Sequence, residues 1–239
     1  MTQAKSRLIN VSNRLPVAIK QHGGSLRVER SPGGLASALE SAWRERTGVW
    51  IGWPGSTQDA AVDQALARAS KKRSYQLQAV HLNEEEVAKF YAGFANEIIW
   101  PLFHDMPSRC NFDPDYWEIY QRVNGKFAEV VSRSARPDDF TWVHDYHLML
   151  AARPMRKAGV KGTIGFFLHI PFPSPDVFEK LPWRQPIIDA MLDYSVVGFQ
   201  ADRDRDNFAS CVRRLLPNAK ILPAHPHLII EEGQRRTLV

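Results

Sequence analysis

Residues 165–173 read GFFLHIPFP, an apolar run that meets a histidine and then stops on Pro171 and Pro173. A run this short between turn signals is a strand buried on both faces, predicted over 163–170. The prolines forbid its continuation. A strand with two buried faces belongs to a sheet covered on both sides by helices. His169 therefore sits at the carboxyl end of a strand, the end at which open α/β sheets bind their ligands.

The rest of the chain fits such a sheet. Further strands are expected over 8–12 (LINVS), 49–53 (VWIGW), 75–82 (YQLQAVHL), 140–145 (FTWVHD) and 195–200 (SVVGFQ). VAIK and LRVER flank Gly23-Gly24 as an excursion hairpin after the first strand. Helical stripes follow: Leu35, Leu39 and Trp43 after Gly33-Gly34; then Val87, Phe90, Tyr91, Phe94 and Ile98 behind an Asn83 N-cap and three glutamates. Further helices are expected over 115–133, 150–158, 187–193 and 202–216, with a short one opened by Ser174-Pro175. Pro101 ends or kinks the Asn83 helix. The tail, LIIEEGQRRTLV, reads as two strand halves about a turn. Strands alternating with helices give a doubly wound, mainly parallel, Rossmann-like α/β sheet in a single domain over 1–239.

Composition narrows the function classes. The 239 residues are 44% hydrophobic and 24% charged, with mean hydropathy -0.34, as in a soluble globular protein. No apolar run approaches the roughly 20 residues of a membrane span. No secretory signal is visible, so the expected location is cytoplasmic. Cys110 and Cys211 lie too far apart for ligand spacing and are expected to be reduced thiols. A net charge of +5 is spread over short clusters (Lys71 to Arg73, Arg213-Arg214, Arg235-Arg236) that read as solvated faces and not as a nucleic-acid surface. A basic excess also suits a small, doubly negative substrate.

Chemistry-bearing residues gather at the carboxyl ends of the expected strands: Ser12, Asn13 and Arg14; Trp53; the run HDYH over 144–147; and His169. Arg14 is either a phosphate clamp, its guanidinium fork matching phosphate oxygens, or an ordinary surface arginine. Gly33-Gly34 is either a diphosphate seat at a helix start or a plain turn. The G-x-G-x-x-G pattern is absent, which disfavours a dinucleotide dehydrogenase. H-D-x-H leaving a strand does not align ligands as H-E-x-x-H does on a helix, so no metal is expected. Asp145 is an acceptor or base for a hydroxyl, or a turn cap. Tyr91 and Trp100 are a sugar platform or part of the core.

Taken as a set, VSNRLP, SPGGLASAL, GWPG, FANEIIWPLFH, WVHDYHLML, IGFFLHIPFPSPDVFEKLPWR and VGFQADRDRDNF resemble the trehalose-phosphate synthase family over nearly the whole chain, most weakly after about residue 215. The resemblance implies the N-terminal, acceptor-side half of a GT-B fold. It also implies a retaining enzyme that transfers glucose from UDP-glucose to glucose 6-phosphate without a cofactor or obligatory metal, giving trehalose 6-phosphate and UDP. By the same resemblance, Arg14 matches the arginine for the acceptor phosphate, and Trp53, Tyr91, Trp100 and Asp145 match the acceptor pocket. Gly33, Gly34 and His169 match the donor side, and Asp145 with His169 stands at the reacting centre. Family members are about twice as long, and their second domain holds the nucleotide. A homo-oligomer or pairing with such a domain is therefore expected. Two alternatives are a related synthase with another acceptor, such as glucosylglycerol-phosphate synthase, and a non-catalytic sugar-phosphate-binding or regulatory module.

Overall fold

The computed structural model describes residues 7–22, 25–30, 34–43, 46–56 and 60–239. The chain opens with β1 (Leu8–Arg14), makes the excursion hairpin β2 (Val17–His22) and β3 (Ser25–Arg30), and continues through α1 (Gly34–Ala38), α2 (Glu40–Trp43), β4 (Gly48–Trp53), α3 (Ala60–Ser70) and β5 (Tyr75–Ala79). Next come α4 (Glu84–Glu86), a π-helix over Val87–Ile99, α5 (Trp100–Phe103), α6 (Pro114–Ser134), β6 (Phe140–His144), α7 (Ala152–Lys157) and β7 (Thr163–Phe167). It finishes with α8 (Pro175–Phe178), α9 (Arg184–Met191), β8 (Val196–Gly198), α10 (Asp202–Leu215), β9 (Lys220–Ala224), β10 (His227–Glu232) and β11 (Arg235–Leu238).

Nine of these strands form one sheet in the order β5-β4-β1-β6-β7-β8-β11-β10-β9, parallel from β5 to β11, and β2 with β3 forms a separate two-stranded one. The last three strands are joined as antiparallel hairpins. From β1 the chain winds out to β5 and then returns to β6 on the other flank. The order therefore reverses at the β1/β6 seam, where a doubly wound sheet opens a crevice at its carboxyl edge. Alternation along each strand covers both faces. Ile9, Val11, Val49 and Ile51 enter the larger core beneath the π-helix and α6. Leu8 and Trp50 enter a second one with Trp43, Val62, Leu66 and Leu77.

The structure corrects several boundaries. β7 stops at Phe167 and not at 170, because the His169 N–H turns away from the sheet to Asp145. β1 runs on through Arg14, and β5 stops at Ala79. The helix after Gly33-Gly34 is broken at Leu39 into two short pieces. Asn83 caps its helix as expected, in a full capping box with Glu86, but the stripe behind it is a π-helix, in which the Trp100 N–H reaches back five residues to Ala95. Pro101 falls in the first turn of α5, where its missing N–H costs nothing, so the helix continues. Two elements lay outside the sequence expectation, α3 and β9. Among the described residues no helix is long and apolar enough to cross a membrane.

Candidate functional site

The carboxyl ends of β1, β4 and β6 bring one group of side chains together. Arg14, at the last position of β1, holds its guanidinium carbon 4.6 Å from the Trp53 ring centroid and 5.3 Å from that of Tyr91. Trp53 ends β4 in register with Arg14, and Tyr91 reaches it from the π-helix, with ring centroids 6.2 Å apart. Behind Tyr91 lies His147, nearly parallel to it at 5.8 Å. A guanidinium laid against two aromatic faces keeps its N–H edge outward, fit to take the oxygens of an anion. Burial, and secondarily the Arg14 charge, push His147 down to about 3, so its ring is neutral; both ring nitrogens are buried without a partner.

A second group stands at the ends of β6 and β7. Asp145 has φ 75° and ψ 166°, a region otherwise left to glycine. Two contacts hold it there: its Oδ1 accepts from the N–H of Tyr146 at 3.0 Å and of His169 at 3.2 Å. Oδ2 has no protein partner among the described residues and is left to accept from a ligand. Burial raises the Asp145 carboxyl above its usual range, against the pull of these N–H groups and of His169. Beneath the turn, Tyr120 on α6 donates to the Tyr146 carbonyl at 2.7 Å and Asn124 to the His147 carbonyl at 3.1 Å, so the strained segment rests on a rigid helix. His169 is clamped at both backbone ends, with Gln200 Nε2 donating to its carbonyl at 2.6 Å. Its Nε2 lies 3.0 Å from Nδ1 of the fully buried His144. Burial first, and then His169, push His144 down to about 3. Its other nitrogen is 2.8 Å from Asn10 Oδ1 on the neighbouring strand.

Of the residues expected from sequence, Arg14, Trp53 and Tyr91 meet directly, and Asp145 meets His169. Trp100 stands apart: it is 40% exposed and stacks on His104 at 4.2 Å. Gly34 opens the five-residue α1 with open space where a side chain would be. Gly33 lies outside the described residues. Sequence reasoning weighed His144 and His147 only as metal ligands and passed over Asn10. Asn10 is an amide inside an apolar stretch of β1, but its partner lies far away in the sequence. Among the described residues no three His, Cys, Asp or Glu side chains are grouped to hold a metal ion. A groove of about 670 Å³ between α6, α7 and α9 shares with the residues above only Asn124, which lies beneath the site.

The sequence signature of glycosyltransferase family 20 matches residues 6–239. The chain is 42% identical over 214 residues to the trehalose-6-phosphate synthase of Mycolicibacterium gilvum, covering 89% of this chain and 42% of that protein. Against the Mycobacterium tuberculosis H37Rv protein of the same name it is 39% identical over 218 residues, 90% of this chain and 44% of that one. Among solved structures, a Burkholderia xenovorans alpha,alpha-trehalose-phosphate synthase (UDP-forming) in complex with glucose-6-phosphate superposes with a TM-score of 0.80 at 31% identity. So does an E. coli chain bound with UDP-2-fluoro glucose, with a TM-score of 0.80 at 33% identity. Each of these two matches covers 97% of this chain and 48% of the other. The chain thus spans less than half the length of these relatives.

Proposed function

The chain belongs to glycosyltransferase family 20, and from that premise we propose that it is the acceptor-side, N-terminal half of a retaining GT-B synthase that transfers glucose from UDP-glucose to glucose 6-phosphate, giving trehalose 6-phosphate and UDP. The observation that carries this reading is the Arg14, Trp53 and Tyr91 cluster beside Asp145. It sets a fixed cation and a free carboxylate oxygen at one sheet edge, as a phosphorylated sugar needs.

In this reading Arg14 takes the acceptor phosphate and Tyr91 walls the sugar, while Trp100 stands apart on His104. Asp145 Oδ2 accepts from the acceptor hydroxyl and orients it. Retention without a covalent sugar intermediate leaves proton removal to the departing phosphate of the donor, so Asp145 polarises the hydroxyl more than it deprotonates it. His169, Gly33 and Gly34 serve the donor side. The contacts to the nucleotide lie in the part of the relatives beyond the match. That is why this stretch is read as binding acceptor first and as reaching full catalysis only when both substrates are held in one geometry.

The test is calorimetric titration of glucose 6-phosphate and of glucose into the chain and into Arg14→Ala, beside an assay of UDP release from UDP-glucose. A charge-assisted contact contributes about 1.5–3 kcal/mol, so Arg14→Ala is expected to weaken glucose 6-phosphate binding roughly tenfold to a hundredfold. Equal binding by the variant, or glucose bound as tightly as its phosphate, would remove Arg14 from the acceptor site.

A further inference from the structure

The carboxyl edge of the sheet contains a connected line of three polar side chains that the acceptor reading does not use: Asn10, His144 and His169. Asn10 and His144 are each 0% exposed, at the centre of the sheet on paired strands. A buried amide in an apolar strand carries a desolvation cost unless something engages it. The one side-chain partner of Asn10 among the described residues is His144, at 2.8 Å.

Elementary valence sets the direction of the line. An amide oxygen has no proton to give, so the nitrogen facing Asn10 Oδ1, His144 Nε2, must carry one. A buried neutral imidazole carries a single proton, so His144 Nδ1 is bare. The nitrogen 3.0 Å from it, His169 Nε2, must then be the donor. His169 in turn, when neutral, has a bare Nδ1. That atom has no protein partner among the described residues, while the backbone on either side of the ring is pinned by Asp145 and Gln200.

We propose that Asn10 and His144 are positioning residues that lock His169 in its Nε2–H tautomer, so that the ring presents a bare Nδ1 to the cleft and accepts a hydrogen bond from a sugar hydroxyl. The identity of the hydroxyl rests on the reading of His169 as a donor-side residue. The tautomer does not. A donor at this point would repel a hydroxyl whose proton faces the ring, whereas an acceptor orients it and leaves the hydroxyl oxygen free for other donors. The lock also couples the two rings, because a second proton on His144 would place its Nδ1–H against His169 Nε2 and force the His169 proton across to Nδ1.

The experiment is a long-range proton–nitrogen correlation spectrum of the nitrogen-15-labelled chain at neutral pH, with His144→Gln and His169→Gln used only to assign the signals. Both rings are expected as Nε2–H tautomers. Asn10→Asp supplies the decisive comparison. A buried carboxylate beside His144 draws a second proton onto that ring, whose Nδ1–H then faces His169 Nε2 and drives the His169 proton to Nδ1. The His169 pattern should therefore invert while circular dichroism stays that of the folded chain. A residue with a merely structural role would not move it. His169 found as the Nδ1–H tautomer in the unaltered chain would overturn the proposal, as would an unchanged His169 pattern in folded Asn10→Asp. Titration with UDP-glucose is a separate arm. Movement of the His169 Nδ1 signal supports the bare acceptor, and an unmoved signal with the tautomer as expected counts against the donor-side reading alone.

Discussion

Asp145 concentrates the conflict between stability and use in a single residue. Its backbone sits in a region that costs on the order of 1–3 kcal/mol for a residue with a side chain, and burial holds its carboxyl above the usual range. A folded-state pKa raised above the unfolded one means that the native chain binds the proton more tightly. The stability this group contributes is therefore present in acid and is lost as pH rises through the folded value. Asp145→Asn removes that cost at neutral pH while its amide oxygen still accepts from Tyr146 and His169. Scanning calorimetry is expected to give a thermal midpoint at neutral pH equal to or above that of the unaltered chain, with the difference closing toward acid, even as acceptor binding is lost. A midpoint several degrees lower would show that the carboxylate is structural. At this scale the sequence was legible where a polar residue ended an apolar run, as Arg14, Asp145 and His169 do. It was opaque at Asn10, whose partner lies 134 positions away, and at His147, whose neutrality comes from burial against Phe90 and Tyr91 of the π-helix and, secondarily, from the Arg14 charge.

Elements were legible wherever periodicity and a bounded run agreed, as in β4, β6 and α6. They were misread where a tertiary contact decides the end: β7 closes early because the Asp145 side chain takes the His169 N–H. The π-helix could not be separated from an α-helix by spacing, since Phe90, Phe94 and Ile98 are buried in either form. The α3 segment is mainly Ala with a sparse buried stripe of Val62, Ala65 and Leu66, so it passed as connection. Glycines let β4 lie close against β1, most sharply at Gly48. At Gly48 an added Cβ would lie 1.8 Å from the carbonyl oxygen of Leu8, which is backbone in the paired strand and cannot yield. Gly48→Ala is expected to cost about 3 kcal/mol or more, read as a lowered urea midpoint. A loss under about 0.5 kcal/mol would mean that β1 and β4 can part without consequence.

For the molecule as a whole, two buried imidazoles dominate the acid side. Burial pushes both His144 and His147 from 6.5 down to about 3. Between those values the unfolded chain takes up protons that the native chain refuses, so the stability they contribute is full above 6.5 and is lost as pH falls. Each ring adds about 1.4 kcal/mol per pH unit to that slope, against the opposite, smaller influence of Asp145. His147→Phe keeps the stacking on Tyr91 and removes one ring from the count. Urea titrations across this range should show a shallower pH dependence by about one proton, and an unchanged slope would mean that His147 is already charged in the fold. The seam between β1 and β6 carries one more consequence. β1 is made before either of its neighbours, and the second of them follows some 130 residues later, so the centre of the sheet is closed by a long loop that only near-complete folding repays. A chain halted with β1 beside β4 would own Arg14 and Trp53 and lack Asp145. The cleft is thus an all-or-none object, and any ligand that bridges its two sides reports on, and steadies, the closure of the entire sheet.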